Sequence, residues 1–137
     1  MPVTYRQDIK NVNWEALRAS LIEDNFHNGR TAEQYRRSFE NSQEVVFAWD
    51  NDRIVGTARL LSDGVCNAYI IDVWTHSAYR RQGIARYMLH LLEAEAQGQH
   101  ISLWTDSAQP FYERIGYHRS ADTLYEKVVG TWLDGSD

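Results

Sequence analysis

Arg80-Arg81-Gln82-Gly83-Ile84-Ala85 stands between a run rich in Ile, Val, Tyr and Trp, Ala68 to Trp74, and a run in which Ile84, Met88, Leu91 and Leu92 recur at helical spacing. The glycine therefore falls where a strand turns into a helix. Such a helix start presents backbone N–H groups without partners and the positive end of the helix dipole, and the absent side chain at Gly83 lets an anion reach them. Arg80, Arg81 and Arg86 add charge-assisted donors, so the stretch has the chemistry of a pyrophosphate cradle. Neither the G-x-G-x-x-G dinucleotide fingerprint nor the P-loop pattern is present. A second candidate is Asp72, a carboxylate in an otherwise apolar strand, which needs a partner or a wet cavity. It could act as a base, anchor a cationic amine, or pair with Arg59 on the neighbouring strand. His27, His76, His90, His100 and His118 show no metal-ligand spacing, so no metal site is expected. His76 reads as an exposed loop residue, and Cys66, without a helper base, as inert.

The elements that must position these residues are mixed. Val3 to Arg6 reads as a short strand, and Trp14, Leu17 and Leu21 mark one face of a helix that Asn13 caps. Asn25 to Arg30 is a loop. Thr31 with Gln34 forms a capping-box pattern for a second helix carrying Tyr35 and Phe39. Strands follow over Glu44 to Trp49, Arg53 to Leu61 and Val65 to Thr75, joined by Asp50-Asn51-Asp52 and Ser62-Asp63-Gly64. Such short, turn-forming links imply antiparallel neighbours, with Asp63 a turn residue. After Gly83 a helix runs to about Gln97 and stops at Gly98, and Ile101 to Trp104 reads as a strand reached by a right-handed crossover, hence parallel. A short helix from Ala108 to Ile115 is followed by a closing hairpin over Tyr117 to Ser120 and Thr123 to Val129. The expected fold is α+β: a mixed sheet of roughly six to seven strands, antiparallel first and parallel at the fourth and fifth, with about four helices.

The chain has 137 residues, 43% hydrophobic and 24% charged, enough for one domain over residues 1–137 with a real core. Its net charge of -5 weighs against nucleic-acid partners, whose binding rests on phosphate neutralisation, and suits cationic substrates. With Cys66 as the single cysteine an internal disulfide is impossible. No apolar run suggests a signal peptide or a membrane span, so a soluble cytoplasmic protein without membrane partners is the default expectation. Trp14, Trp49, Trp74 and Trp104 fall on expected strands or helices and read as core, whereas Trp132 in the tail could cover a second copy in a homodimer.

Arg80-x-x-Gly83-x-Ala85 matches the Arg/Gln-x-x-Gly-x-Gly/Ala signature of the GNAT superfamily of acyl-CoA N-acyltransferases. Asp72-Val73-Trp74-Thr75 resembles the fourth strand of that family, and Ala108-Gln109-Pro110-Phe111-Tyr112-Glu113-Arg114-Ile115-Gly116-Tyr117 resembles its A-x-x-F-Y-E-x-x-G-F/Y element. With Gly56 to Gly64 the resemblance covers residues 44 to 118 in family order. It implies a cleft between the fourth and fifth strands, where the pantetheine of acetyl-CoA lies along Val73, Trp74 and Thr75 and pairs with the backbone of Val73 and Thr75. The pyrophosphate would rest on Arg80, Arg81, Gln82, Gly83, Ile84, Ala85 and Arg86, with Ala108 and Phe111 on the opposite side. Thr105 stands where many relatives have asparagine, and Asp106 could compensate. The two N-terminal helices and their loop would border the pocket for the acceptor.

Amide formation from a thioester needs an unprotonated amine, whose alkyl form has a pKa of about 10.4, and expels a thiolate whose acid lies near ~8.5. Both ends need proton management. The resemblance makes Tyr112 the acid that protonates the departing sulfur, and Asp72 the candidate base or amine anchor. The implied activity is transfer of acetyl from acetyl-CoA to a primary amine, small molecule or peptide, by direct attack in a ternary complex. Two alternatives stand beside it: a non-catalytic acyl-CoA-binding or sensor module on the same fold, and an adenine-nucleotide binder of other chemistry.

Overall fold

A computed structural model describes residues 2–120 and 124–133 of the chain. The described residues fall into two compact units, one ending at Leu103 and a smaller one beginning at Trp104.

The first unit begins with β1 (Thr4–Arg6) and two helices, α1 (Trp14–Glu23) and α2 (Ala32–Glu40). Both helix starts are set by local side chains. Asn13 Oδ1 accepts the Ala16 N–H at 3.0 Å. Thr31 and Gln34 bond reciprocally, satisfying two N–H groups that the helix itself cannot. Strands β2 (Glu44–Asp50), β3 (Arg53–Ser62) and β4 (Asn67–Thr75) follow, then α3 (Ile84–Ala94) and β5 (His100–Ser102). Asp63 Oδ1 accepts the N–H groups of Val65, Cys66 and Asn67 and so builds the β3–β4 turn.

The sheet runs β1-β2-β3-β4-β5, antiparallel up to β4 and parallel between β4 and β5. Strand alternation gives it two apolar faces. On one, Val45, Phe47, Trp49, Ile54 and Trp74 pack with Leu17 and Leu21 of α1 and Tyr35 and Phe39 of α2. The other carries α3 through Ile84, Met88, Leu89 and Leu92. Helix and sheet approach closely there because position 56 is glycine: a Cβ on Gly56 would meet Ala48 Cβ at 3.1 Å and Met88 Cε at 3.2 Å.

In the second unit α4 (Gln109–Arg114) starts with Pro110 in its first turn, and Thr105 Oγ1 accepts the Ala108 N–H at 3.1 Å.

The elements match the sequence expectation through β5. The sheet has five strands instead of six or seven, because no strand follows Ser102 among the described residues. Tyr117–Ser120 and residues 124–129 have no ladder; Thr123 lies outside the described residues. Strand-forming composition alone does not make a ladder, and Tyr125 and Val129 are 89% and 87% exposed. Trp104 is likewise exposed, not core, because β5 ends two residues before it. His76 is buried, against the expectation of a surface loop: its Nδ1 accepts the Ala78 N–H and its ring packs between Trp74 and Tyr79.

Candidate active site

β5 pairs with β4 only from Asn67↔His100 to Tyr69↔Ser102, so the β4 edge from Ile70 to Thr75 has no strand beside it among the described residues. On the other edge the His76 N–H donates to Val55 O. Backbone N–H groups alternate along a strand, so Trp74 faces β3 as His76 does, while Thr75 and Val73 face the open edge. Thr75 opposes Gly56 and therefore puts its side chain on the α3 face, where its Oγ1 is buried without a hydrogen-bond partner. An open strand edge and an orphaned hydroxyl are features that an extended amide-bearing ligand would complete.

After β4 a single turn of 3₁₀ helix, Ser77–Tyr79, leads into the arginine loop. Gly83 is the N-cap of α3 at φ 79°, with no side chain capping the N–H groups that follow, and a Cβ there would meet nothing within 4 Å. Glycine is required by the left-handed backbone, and the space it leaves lies over an uncapped helix start. Arg81 is also left-handed, at φ 65°, a conformation that costs a residue with a Cβ about 1 kcal/mol or more. Arg80 is 60% exposed; its Nε donates to Thr75 O at 3.3 Å and its Nη2 is 3.7 Å from Asp24. These features fit a pyrophosphate. The cradle residues read from the sequence, Arg80 through Arg86, thus surround one helix start, with Val73, Trp74 and Thr75 on the strand that leads to it.

Asp24, the C-cap of α1, ties this loop down: its Oδ2 accepts the Trp74 indole N–H at 2.9 Å and the Ser77 N–H at 3.1 Å. Burial raises its pKa, but these hydrogen bonds outweigh burial and hold the carboxyl below its ordinary value.

On the α1/α2 face of the sheet a cleft of about 280 Å³ opens between the α1–α2 loop and the strands, with Thr57 and Asp72 in its floor. Asp72 sits in a β-bulge, where the register shifts between Thr57 and Arg59, with φ 57°. The bulge turns the carboxylate toward two arginines. Arg30 grips it end-on through both η nitrogens, at 3.0 and 2.8 Å, and Arg59 Nε donates at 2.7 Å. Burial pushes the Asp72 pKa up, yet the bonds and charges of Arg30 and Arg59 outweigh it and the net shift is downward. A carboxylate so engaged is a weak base. Of the readings open in the sequence, the pairing with Arg59 is present in the structure, and Arg30 joins it.

In the second unit, Tyr112 lies on α4 with its ring packed against Phe111 and Tyr117, and burial pushes its pKa up to about 12. The phenol stays protonated at neutral pH, as any tyrosine does, and burial makes it a weaker acid than a free one. Ala108 is the N-cap of α4, and Asp106 precedes it in the turn that Thr105 bonds. No group of three or more His, Cys, Asp or Glu among the described residues could hold a metal.

The sequence reading missed Asp24, Arg30, Tyr35 and Thr57. Two signals pointed toward them: a carboxylate in an apolar strand demands cationic partners, which Arg59 alone did not exhaust, and the family resemblance set the N-terminal helices and their loop beside the acceptor pocket.

Known proteins bear out the fold. A chain from Deinococcus radiodurans R1 assigned as an acetyltransferase superposes with a TM-score of 0.80 at 22% identity, over 91% of this chain and 88% of that one. A Clostridium acetobutylicum chain assigned as an acetyltransferase and solved with acetyl-CoA gives 0.69 at 23% identity, over 92% and 96%. By sequence, the uncharacterized N-acetyltransferase ycf52 of Pyropia yezoensis is 33% identical over 76 residues, or 53% of this chain; the match spans 44% of that relative's length. The family model for the acetyltransferase (GNAT) family matches residues 7–117, which take in the β4 edge, the Gly83 helix start and Tyr112, and the chain belongs to that family.

Proposed function

We propose that the chain is an N-acetyltransferase that moves an acetyl group from acetyl-CoA to a primary amine by direct attack in a ternary complex. The uncapped, glycine-opened start of α3 at the end of a strand with a free edge carries this reading: the one suits a pyrophosphate and the other an extended pantetheine. Val73 and Thr75 would pair with the pantetheine amides, the N–H groups from Gly83 onward and Arg80, Arg81 and Arg86 would hold the phosphates, and Asp106, Ala108 and Phe111 are carried as contacts by the family motif.

In the reaction the amine nitrogen attacks the thioester carbonyl, the C–S bond breaks as the tetrahedral adduct collapses, and the sulfur leaves with the electron pair. Tyr112 would give that thiolate its proton and recover one from solvent, while the nitrogen of the adduct releases its extra proton to solvent. With Asp72 held ionised by two guanidiniums, the cleft offers a positive field in place of a strong base. Such a field disfavours an ammonium and so favours the neutral amine that can attack.

The test is acetyl-CoA consumption by the purified chain across a panel of amines, with Tyr112→Phe in parallel. The expected result is turnover that falls roughly 10²-fold in the variant while its melting temperature holds. Acetyl-CoA binding without turnover of any amine would leave a binding module. Undiminished kcat in Tyr112→Phe up to alkaline pH would reduce the tyrosine to a packing role.

A further inference from the structure

The cleft beside Asp72 differs in sign from the protein around it. The chain as a whole is acidic, net -5, which taken alone suits a polyamine or a lysine side chain as acceptor. A cationic acceptor needs a free carboxylate to meet it. Asp72 is the single carboxylate among the lining residues, and both its oxygens are taken by Arg30 and Arg59. Two guanidiniums against one carboxylate leave the cleft floor with a surplus positive charge. Of the other titratable groups, His27 also lines the cleft, Arg18 Nε donates to the Arg30 carbonyl at 2.9 Å, and the Asp24 carboxylate is engaged by Trp74 and Ser77.

Arg30 is built into place. Its guanidinium is 4.2 Å from the centre of the Tyr35 ring, its Nε donates to Asn28 Oδ1 at 3.0 Å, and its side chain is 8% exposed. The end-on fork to Asp72 uses one N–H of each η nitrogen, and each keeps a second. Tyr35, which also lines the cleft, is 1% exposed, and its hydroxyl is buried without a hydrogen-bond partner. The Asn28 backbone approaches that hydroxyl without completing a hydrogen bond. A buried donor left unpaired costs about 1–3 kcal/mol unless something completes it. Leu21, Phe26 and Phe39 make the remaining wall apolar, and about 280 Å³ accommodates a molecule of amino-acid size.

We infer that the acceptor is an amine carrying a carboxylate on a small apolar body, an amino acid, with the carboxylate received by the spare Arg30 N–H groups and the Tyr35 hydroxyl. This rests on the acetyltransferase reading above and adds the acceptor class to it. An anion at this point completes the Tyr35 hydroxyl and balances the surplus guanidinium charge, whereas an ammonium at the same point would meet two cations.

The experiment compares matched pairs that differ only in the carboxylate, L-leucine against 3-methylbutylamine and L-phenylalanine against 2-phenylethylamine, with spermidine as the cationic arm. The readout is kcat/KM with the purified 137-residue chain and saturating acetyl-CoA. The carboxylate-bearing member of each pair should be preferred by roughly tenfold or more, the range that a lost charge-assisted contact produces. Equal rates within the pairs, or a preference for spermidine, overturns the acceptor class while leaving the acetyltransferase reading intact. Acetyl-CoA binding with no turnover in any arm overturns both. Tyr35→Phe, which removes a buried hydroxyl without a hydrogen-bond partner, should raise the KM of the amino acid about tenfold, with the acetyl-CoA KM unchanged and the melting temperature as high as the parent's or higher. An unchanged amino-acid KM removes Tyr35 from the site and with it the carboxylate contact proposed here.

Discussion

The cradle at the start of α3 and the cleft beside Asp72 both use arginine, but they hold it in opposite ways. Arg80 of the cradle has a 60% exposed side chain, and its polar contacts are long, at 3.3 and 3.7 Å. Arg30 and Arg59 of the cleft are 8% and 11% exposed and are fixed on Asp72 at 2.7 to 3.0 Å. In the cradle the backbone would do the recognising, with exposed guanidiniums free to turn toward phosphates that bring their own charge. In the cleft the side chains are the structure, and the ligand meets charges already committed to one another. Damage to the cradle should therefore appear in binding, and damage to the cleft in stability.

The largest expected effect is on the cleft. Asp72→Asn keeps the volume, and asparagine accepts the left-handed backbone at φ 57° almost as readily as aspartate. The charge is what is lost, leaving two buried guanidiniums uncompensated, and removing one partner of a buried pair costs about 3–5 kcal/mol. Urea unfolding at pH 7 measures it. Because the arginines hold the folded Asp72 carboxyl below its unfolded value, the unfolded chain takes up the proton first as pH falls. The contribution of Asp72 is thus complete above about pH 4 and is lost as pH drops through the depressed folded value. In the asparagine variant that part of the acid loss should be gone. A variant as stable as the parent at pH 7 would show that the cleft is no more rigid than the cradle.

Gly83→Asp probes the cradle. A side chain at this position meets no protein atom, so the fold should lose only the cost of a left-handed non-glycine residue, about 1 kcal/mol. The carboxylate instead occupies the mouth of the helix start that phosphates would need. Acetyl-CoA affinity should fall by roughly a hundredfold or more by calorimetry, with a melting temperature only a few degrees lower. Collapse of the fold with affinity retained in the folded fraction would reverse the two regions' roles.

The same contrast explains what the sequence revealed. The cradle is contiguous: strand, arginines, glycine and helix follow one another within the span Asp72 to Ala94, and each reports its role locally through propensity, turn chemistry and helix capping. The cleft is assembled from residues 30, 35, 57, 59 and 72, on a loop, a helix and two strands, and only folding brings them together. The bulge that aims Asp72 at Arg30 leaves no mark in the sequence, since aspartate in a β-rich run carries no sign of a positive φ. Net charge and the cleft speak to different scales for a related reason: the one sums over the surface, whereas an acceptor meets the few charges lining one cleft. The terminal hairpin failed differently. Its residues have strand propensity, but a strand exists only as one half of a pair.

Arg80→Ala should have the smallest effect and separates the regions most cleanly. Its contact with Asp24, at 3.7 Å from an exposed side chain, is of the kind that screening makes nearly worthless to stability, and the Trp74 and Ser77 bonds hold Asp24 without it. The melting temperature should therefore not move. Affinity for acetyl-CoA should fall about fivefold to tenfold, because one charge-assisted donor to phosphate is lost while the helix-start N–H groups remain. Raising the salt concentration should shrink the difference between parent and variant, since an exposed guanidinium reaches its phosphate through screened solvent. Binding of a pantetheine fragment that lacks the phosphates should be the same in both. If the fragment weakens as much as the whole cofactor, Arg80 acts by shaping the β4 end through Thr75 O, and the cradle's arginine is as structural as those of the cleft.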